Sequence, residues 1–597
     1  MKNLFLLSTF TLLICTLPTA YAHRGFDSYQ PQIAWSDCYP ELSFLGEYQC
    51  GEVFAPLNYR RYYGGEPSSD NQISLKFVRI PAQNPEAKKG TLFFNYGGPG
   101  GPAIQNTIYL GSQMLTQEVR DQYDLVGFDP RGIGESTPLK CFTQYEEFMP
   151  YLSTPSYPRT AIEELDKIDL SDVIANACEA RGGELYKNMT TADVARDLDW
   201  LRRAFGDDEL NFYGMSYGSY VGATYANMYP RNVGRIIVDG VIDPVAWATG
   251  RGFQSWFEPV TSRIRSDKSS ADSLNEFYRL CSLANDNCAI SEAPEQAMAT
   301  AIILTEDYSV PVTDIYGNTF ILTEQILVQE TISAMYSPTA WESFANLIGQ
   351  LVALYNFLES QPTPMNSDTQ LSKVNTAYNY YKVELYGENS DLEEIHDYSE
   401  DETILTSIEW FPNVMCSDSN NPYSPYSWID SSYRAEQKHG LAGAYWNWSS
   451  VPCAHIKPSR SRYAGPFRHW TKNPILIINT YFDPATALEG AIALNRLMPN
   501  SHLLPVEGWG HVSFLTSQCT DEASSEFLIN GNLPEHGTVC EPSIAPFNLS
   551  LDIATADIKA PAHIERQRKH WVNSVHSNHH KLHARKRLNR LLRNIKQ

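Results

Sequence analysis

One tight turn restricts this chain more than any other feature. In NFYGMSYGSYVGATYA, residues 211–226, Ser216 stands between Gly214 and Gly218. By itself the pentapeptide G-x-S-x-G decides little. With 35 Gly in 597 residues, a chain holding several dozen serines shows it by accident about one time in ten. Its flanks carry the information. Leu210–Tyr213 follows Gly206-Asp207-Asp208 and reads as a buried strand, whereas Tyr220–Tyr229 reads as a helix stopped by Pro230. A serine between a strand and a helix sits on a strained turn that tolerates only small neighbours. The turn lifts the hydroxyl above the sheet, and the Tyr217 N–H at the helix start becomes available to a developing oxyanion.

The helix that leads into this strand is equally well marked. Thr190 and Asp193 cap its start, Val194, Leu198, Leu201 and Phe205 form one apolar face, and Gly206 ends it. Short apolar runs recur at Gly90–Asn95, Tyr123–Phe128, Gly234–Asp239, Pro474–Asn479 and His502–Glu507. With helical stretches between them, they predict buried parallel strands of an α/β sheet. The interval from Val245 to about Lys472 breaks the alternation. It is helical and aromatic-rich (Ile326–Met335, Thr339–Leu358, Thr369–Tyr386), with an acidic run at Asp391–Asp401. An insertion of this size between two strands is expected to be a cap. The expected organisation is a signal at 1–22, the first part of the core at 23–244, a cap at 245–472, the second part at 473–545, and an extension with a basic tail at 546–597.

The start of the chain has Lys2, an apolar run from Leu4 to Leu17, and Ala20-Tyr21-Ala22. That pattern predicts a secretory signal cut after Ala22, its apolar run too short to span a bilayer. Ile14 before Cys15 argues against lipid attachment. The mature protein is expected to be exported and soluble, in a periplasm or outside the cell. Removing Cys15 from 11 cysteines leaves an even number, which suits an oxidising compartment. Ten cysteines allow on the order of a thousand pairings; the close neighbours Cys38–Cys50, Cys281–Cys288 and Cys519–Cys540 are favoured. The sequons at Asn188, Asn447 and Asn548 matter only where the source glycosylates.

Charge is unevenly spread. The segment 563–597 holds ten Lys/Arg against Glu565 alone, a net +9, so the remainder carries −32 of the total −23. An acidic body disfavours nucleic acid as a partner. The tail suits an anionic surface or the acidic body itself, or is simply solvated.

A serine nucleophile needs a base, and the base needs an orienting acid. His511, in Glu507-Gly508-Trp509-Gly510-His511, lies just past the last expected strand; His502 and His536 are the rivals. Asp483, in Tyr481-Phe482-Asp483-Pro484-Ala485-Thr486, follows the preceding strand, with Asp239 and Asp243 the alternative acids. The order Ser216, Asp483, His511 fits an α/β-hydrolase. A second oxyanion donor must come from a turn after an earlier strand. Asn95-Tyr96-Gly97-Gly98-Pro99-Gly100-Gly101-Pro102 is that turn, with the N–H of Gly98 the chosen donor. Asp129-Pro130-Arg131-Gly132-Ile133-Gly134 is too short and misplaced for a dinucleotide loop, and Arg131 is read as a brace. Neither H-E-x-x-H nor zinc-ligand cysteine spacing occurs, so no metal and no cofactor are expected.

Taken together, NYGGPGGPA, VGFDPRGIGES, GMSYGSYVGATYA with VGRIIVDGVIDP, YFDPATALEGA and GHVSFLTSQCTDEASSEFLINGNLPEHGTVC resemble the prolyl-aminopeptidase family of serine peptidases. The nearer match is its secreted tripeptidyl-aminopeptidase branch, from about Trp35 to Cys540. The resemblance implies an α/β-hydrolase with a helical cap, a triad of Ser216, Asp483 and His511, and release of short peptides or single residues from free N-termini. It implies carboxylates that receive the substrate ammonium, with Asp418 in a matching segment, and it supports pairing Cys519–Cys540 and Cys416–Cys453. Tyr96 and Val512 depart from it, standing where Pro and Gly are common. Two rival readings are an esterase using the same triad and a non-catalytic binding protein that kept the fold.

Overall fold

A computed structural model describes residues 29–40, 47–111, 113, 115–144, 147, 150, 154–360, 368–386 and 400–555. The signal segment, most of the acidic run and the basic tail lie outside the described residues. Nine strands form one sheet: β1 (Ala34–Ser36), β2 (Gln49–Pro56), β3 (Gln72–Ile80), β4 (Gly90–Asn95), β5 (Tyr123–Phe128), β6 (Leu210–Met215), β7 (Val233–Asp239), then β10 (Ile475–Phe482) and β11 (Ser501–Trp509). A separate hairpin pairs β8 (Pro311–Thr313) with β9 (Thr319–Ile321). The sheet order is β1-β2-β3-β5-β4-β6-β7-β10-β11. From β5 to β11 all pairings are parallel, while β1, β2 and β3 join antiparallel at one edge.

The residue pattern explains this split. β4, β5, β6 and β10 are buried along their whole length, as apolar parallel strands covered on both faces must be. β3 instead alternates, with Ile73, Leu75 and Phe77 inward, the signature of a strand that keeps one face near solvent.

Helix α1 (Ala161–Arg181) packs on the short turn Val451–Ala454, whereas α2 (Thr191–Ala204) and α3 (Tyr217–Met228) pack on strands of the sheet. Thr190 and Asp193 form a reciprocal capping box on α2. Buried Arg131 braces the loops: its guanidinium forks onto Asp197 at 2.6 Å through two nitrogens and donates to the carbonyls of Pro56, Leu57 and Asn188. Between β7 and β10 the chain is mainly helical: α4 (Ser266–Ala284), α5 (Glu324–Tyr336), α6 (Trp341–Glu359), α7 (Asp368–Tyr386), α8 (Glu400–Asp418) and α9 (Leu441–Trp448).

Five disulfides join Cys38–Cys50, Cys141–Cys178, Cys281–Cys288, Cys416–Cys453 and Cys519–Cys540. The second was not among the expected pairs; it ties the loop after β5 to α1. The amides of Asn188 and Asn447 are buried and hydrogen-bonded to the carbonyls of Glu184 and Trp428, so two of the three sequons face inward. No helix among the described residues is long and apolar enough to cross a membrane.

Candidate active site

Ser216 occupies the turn between β6 and α3 with φ 55° and ψ −122°, a conformation that costs a non-glycine residue of order 1–3 kcal/mol. Its N–H donates to the Asp239 carbonyl at 2.8 Å, which fastens the turn to β7. The flanking glycines are required by space. A Cβ on Gly214 would sit 2.3 Å from the Gly218 carbonyl oxygen, and one on Gly218 would sit 2.5 Å from that of Asn95. The loop after β4 presses on the serine from the other side, where a Cβ on Gly97 would lie 2.8 Å from Ser216 Cβ. Gly98, at φ 101°, lines the same cavity as Ser216, and its N–H has no acceptor among the described residues. The Tyr217 N–H opens α3, where backbone donors lack intrahelical partners.

Asp483 and His511 stand on the loops that follow β10 and β11. The imidazole Nδ1 is 2.9 Å from both carboxylate oxygens of Asp483. The carboxylate is fully buried, and four further donors reach it: the N–H groups of Ala485 (2.8 Å), Thr486 (2.7 Å) and Val512 (3.3 Å), and the Thr486 hydroxyl (2.7 Å). Burial pulls the His511 pKa down. The charge and hydrogen bond of Asp483, with the charge of Asp239, outweigh that pull and leave it above 6.5. Among the described residues the Ser216 hydroxyl has no hydrogen-bond partner, so the serine–histidine contact is not made in this structure.

The rivals are engaged elsewhere. Asp239 accepts from the N–H and hydroxyl of Ser513 and from Tyr213, and burial pushes its pKa up to about 6. Asp243 caps a short helix and pairs with Arg251. His502 stacks near His536 with ring centroids 4.8 Å apart, and burial lowers its pKa to about 4. It pairs with Leu476 at the start of β10, the opposite end of the strands from Asp483.

Ser216 opens into a cavity of about 780 Å³, its wall formed by Gly98, Ile242 and Thr486 from loops that follow strands and by Phe411, Met415 and Trp446 of α8 and α9. A neighbouring cavity of about 420 Å³ is lined by His511, and Tyr336, Tyr445 and Trp446 line both. No carboxylate is among the described residues lining the larger one. Asp418 lies off that wall, buried, where it accepts from the Thr191 N–H at 3.0 Å and from the Trp247 indole at 3.4 Å; burial raises its pKa to about 7. No group of His, Cys, Asp and Glu suited to hold a metal occurs among the described residues.

Sequence reasoning missed two elements. Thr486 carries a weak signal in the sequence, a hydroxyl three residues after an Asp in a Pro-containing turn. Tyr336 carried no signal at all. Its carbonyl accepts the His511 N–H at 2.9 Å, and its ring packs edge-on against the imidazole at 4.8 Å.

Residues 90–288 match the family model described as alpha/beta hydrolase fold, and residues 439–540 the one described as TAP-like protein. The chain is 25% identical to "Tripeptidyl aminopeptidase" of Streptomyces coelicolor over 533 residues, 86% of this chain and 87% of that protein. It is 26% identical to "Serine protease Hip1" of Mycobacterium tuberculosis over 529 residues, 85% and 91% of the two chains. "Carboxylesterase B" of the same organism is 25% identical over 538 residues, 88% and 93% of the two chains.

Proposed function

We propose that this serine hydrolase of the α/β-hydrolase fold, with its TAP-like C-terminal region, is an exported exopeptidase that cleaves peptides near free N-termini. One observation carries the reading: a buried Asp483–His511 pair at the mouth of the sheet that presents Ser216. In this mechanism His511 removes the Ser216 proton and the alkoxide attacks the peptide carbonyl. The N–H groups of Gly98 and Tyr217 receive the oxyanion. His511 then protonates the leaving amine, and a water activated by the same imidazole hydrolyses the acyl-enzyme. Asp483 holds the ring with Nε2 toward the serine and stabilises the imidazolium. Contacts of this kind commonly tighten only with substrate bound, which accommodates the open serine–histidine gap.

Export belongs to this reading, on the signal-like start of the chain and five disulfides suited to an oxidising compartment. So does docking of the basic tail on an anionic surface. The second reading, an ester hydrolase with the same three residues, draws on the relative named as a carboxylesterase. Mass spectrometry of products from unlabelled peptides, free or acetylated at the N-terminus, set against short esters, separates the two. Release of short N-terminal fragments from free peptides alone supports the peptidase. Fast ester turnover with no discrimination between free and blocked amines rejects it.

A further inference from the structure

Ser216 and Gly98 line the larger cavity but not the smaller, whereas His511 lines the smaller but not the larger. Asp483 holds the imidazole by Nδ1 and lines neither, which leaves the Nε2 edge of the ring for the cavity side. The two spaces adjoin at Tyr336, Tyr445 and Trp446, which wall both. In acyl transfer the nucleophile and the oxyanion donors stay with the acyl carbonyl, while the general acid must reach the leaving nitrogen. A bond cleaved at Ser216 therefore lies where the cavities meet, with its leaving half on the His511 side. That side is apolar and aromatic. Ile332 and Ser333 of α5 and Leu385 and Tyr386 of α7 line it, and no Asp, Glu, Lys or Arg is among its described lining residues. Lys382, whose Nζ lies 4.6 Å from the centre of the Tyr386 ring, is paired with Glu330 at 3.0 Å.

We propose that the smaller cavity is the leaving-group subsite, taking the first residue after the cleaved bond and selecting a large apolar or aromatic side chain there. The inference rests on the peptidase reading and deepens it by adding a preference beyond the bond. Such a side chain gains by leaving water for these walls. A charged one would be desolvated with no opposite charge among the described lining residues. The partition between the cavities is held in place: the Trp446 indole donates to the Ser270 hydroxyl at 2.7 Å, and that hydroxyl donates to the Pro484 carbonyl beside the acid.

Once mass spectrometry has located the cleaved bond, the test compares peptides identical before it that carry Phe, Leu, Gly, Glu or Lys after it. In the wild-type protein kcat/KM is expected to favour Phe and Leu over Gly by about tenfold or more, with Glu and Lys no better than Gly. Ser333→Phe, which places a ring in the cavity, should bring Phe and Leu down to the level of Gly while the Gly peptide stays within about threefold of wild type. Leu385→Asp should raise the Lys peptide above the Glu peptide. Wild-type rates that ignore the residue after the bond, or an unchanged preference in both variants, overturn the subsite. If no peptide is cleaved, the peptidase reading fails instead, and the subsite is read on the acyl-enzyme formed from a 4-nitrophenyl ester. Phenylalaninamide and glycinamide then compete with water. The amine nitrogen bonds to the acyl carbon, its proton passes to His511, and the bond to Ser216 breaks as that proton returns to the serine oxygen. Capture by phenylalaninamide about tenfold above that by glycinamide upholds the subsite, and equal capture rejects it.

Discussion

The sheet and the helical run between β7 and β10 meet at the same cavity with opposite contributions. From the sheet come the groups proposed to react: Ser216 after β6, Asp483 after β10 and His511 after β11. The helical run supplies none of these and instead holds two of their loops. Along one stripe of α4, at the i, i+3, i+4, i+7 spacing of a single helix face, the hydroxyls of Ser266, Ser269, Ser270 and Ser273 donate to the carbonyls of Ala485, Asp483, Pro484 and Phe482. At the end of α5, Tyr336 grips His511 by backbone and ring. Chemistry and its alignment are therefore divided between two layers, and the layer without reactive groups governs how rigidly the acid and base are held.

The sharpest way to break this division is at the acid. Asp483→Asn keeps the shape of the side chain but replaces a carboxylate that accepts from His511 with an amide that can impose the wrong tautomer. A drop in kcat of about 10⁴-fold is expected, measured on the preferred anilide with circular dichroism as the check on folding. Asp239→Asn, whose carboxylate serves Ser513 and Tyr213, is expected to cost less than about tenfold. Comparable losses in the two variants would move the acid's role to β7.

How much of this was legible follows the same division. The strands around the serine were readable because apolar runs and Gly-rich turns are local signals, and Gly90–Asn95 and Tyr123–Phe128 match β4 and β5 end to end. The antiparallel strands β2 and β3 were not identified, although Ile73, Leu75 and Phe77 alternate as a half-exposed strand should. The serine stripe of α4 is visible as a spacing, but nothing in the sequence says that it meets residues more than 200 positions away. Tyr336 acts chiefly through its carbonyl, which every residue has, so no residue type could have marked it. Cys141–Cys178 was missed because a separation of 37 gives neighbour arguments no purchase.

A gentler break targets the grip on the base. Tyr336→Ala removes the ring that packs on His511 and is expected to lower kcat by about ten- to a hundredfold with little change in KM, since misaligning a catalytic group acts on the transition state. Tyr336→Phe should stay within about twofold, because the ring face and the carbonyl are kept. Loss in the phenylalanine variant equal to that in the alanine variant would assign the role to the hydroxyl. Ser269→Ala with Ser273→Ala is expected to cost a few-fold in kcat and about 2 kcal/mol in stability, near 1 kcal/mol for each hydrogen bond.

The pH profile sharpens the comparison further. His511 must be neutral to take the Ser216 proton, and its pKa lies above 6.5 through Asp483. The acid limb of kcat/KM is therefore expected above pH 6.5, falling about tenfold per unit below it. In the residual activity of Asp483→Asn the limb should move to lower pH. The sign for stability runs the other way. A raised imidazole pKa favours the protonated folded protein, so this contribution is complete below the unfolded value of about 6.5 and is lost as pH rises through the folded one. A limb that stays in place in Asp483→Asn would mean that another group sets it.

The smallest effect probes the residue after the histidine. Val512 sits at φ 64°, a left-handed conformation that β-branched side chains resist. Its N–H donates to Asp483 at 3.3 Å and its side chain packs toward Gly240, so the loop is held there by what surrounds it. At an ordinary position Gly is less stable than Ala by about 0.5–1 kcal/mol, through the entropy of the unfolded chain. At φ 64° the order should invert. Val512→Ala loses the packing and keeps the strain, whereas Val512→Gly loses the packing and sheds the strain, worth about 1–2 kcal/mol. Thermal unfolding is expected to rank the glycine variant above the alanine variant by about 1 kcal/mol. The reverse ranking would mean that the loop carrying His511 is not held in a left-handed turn, and that the restraint credited to its neighbours is weaker than the contacts imply.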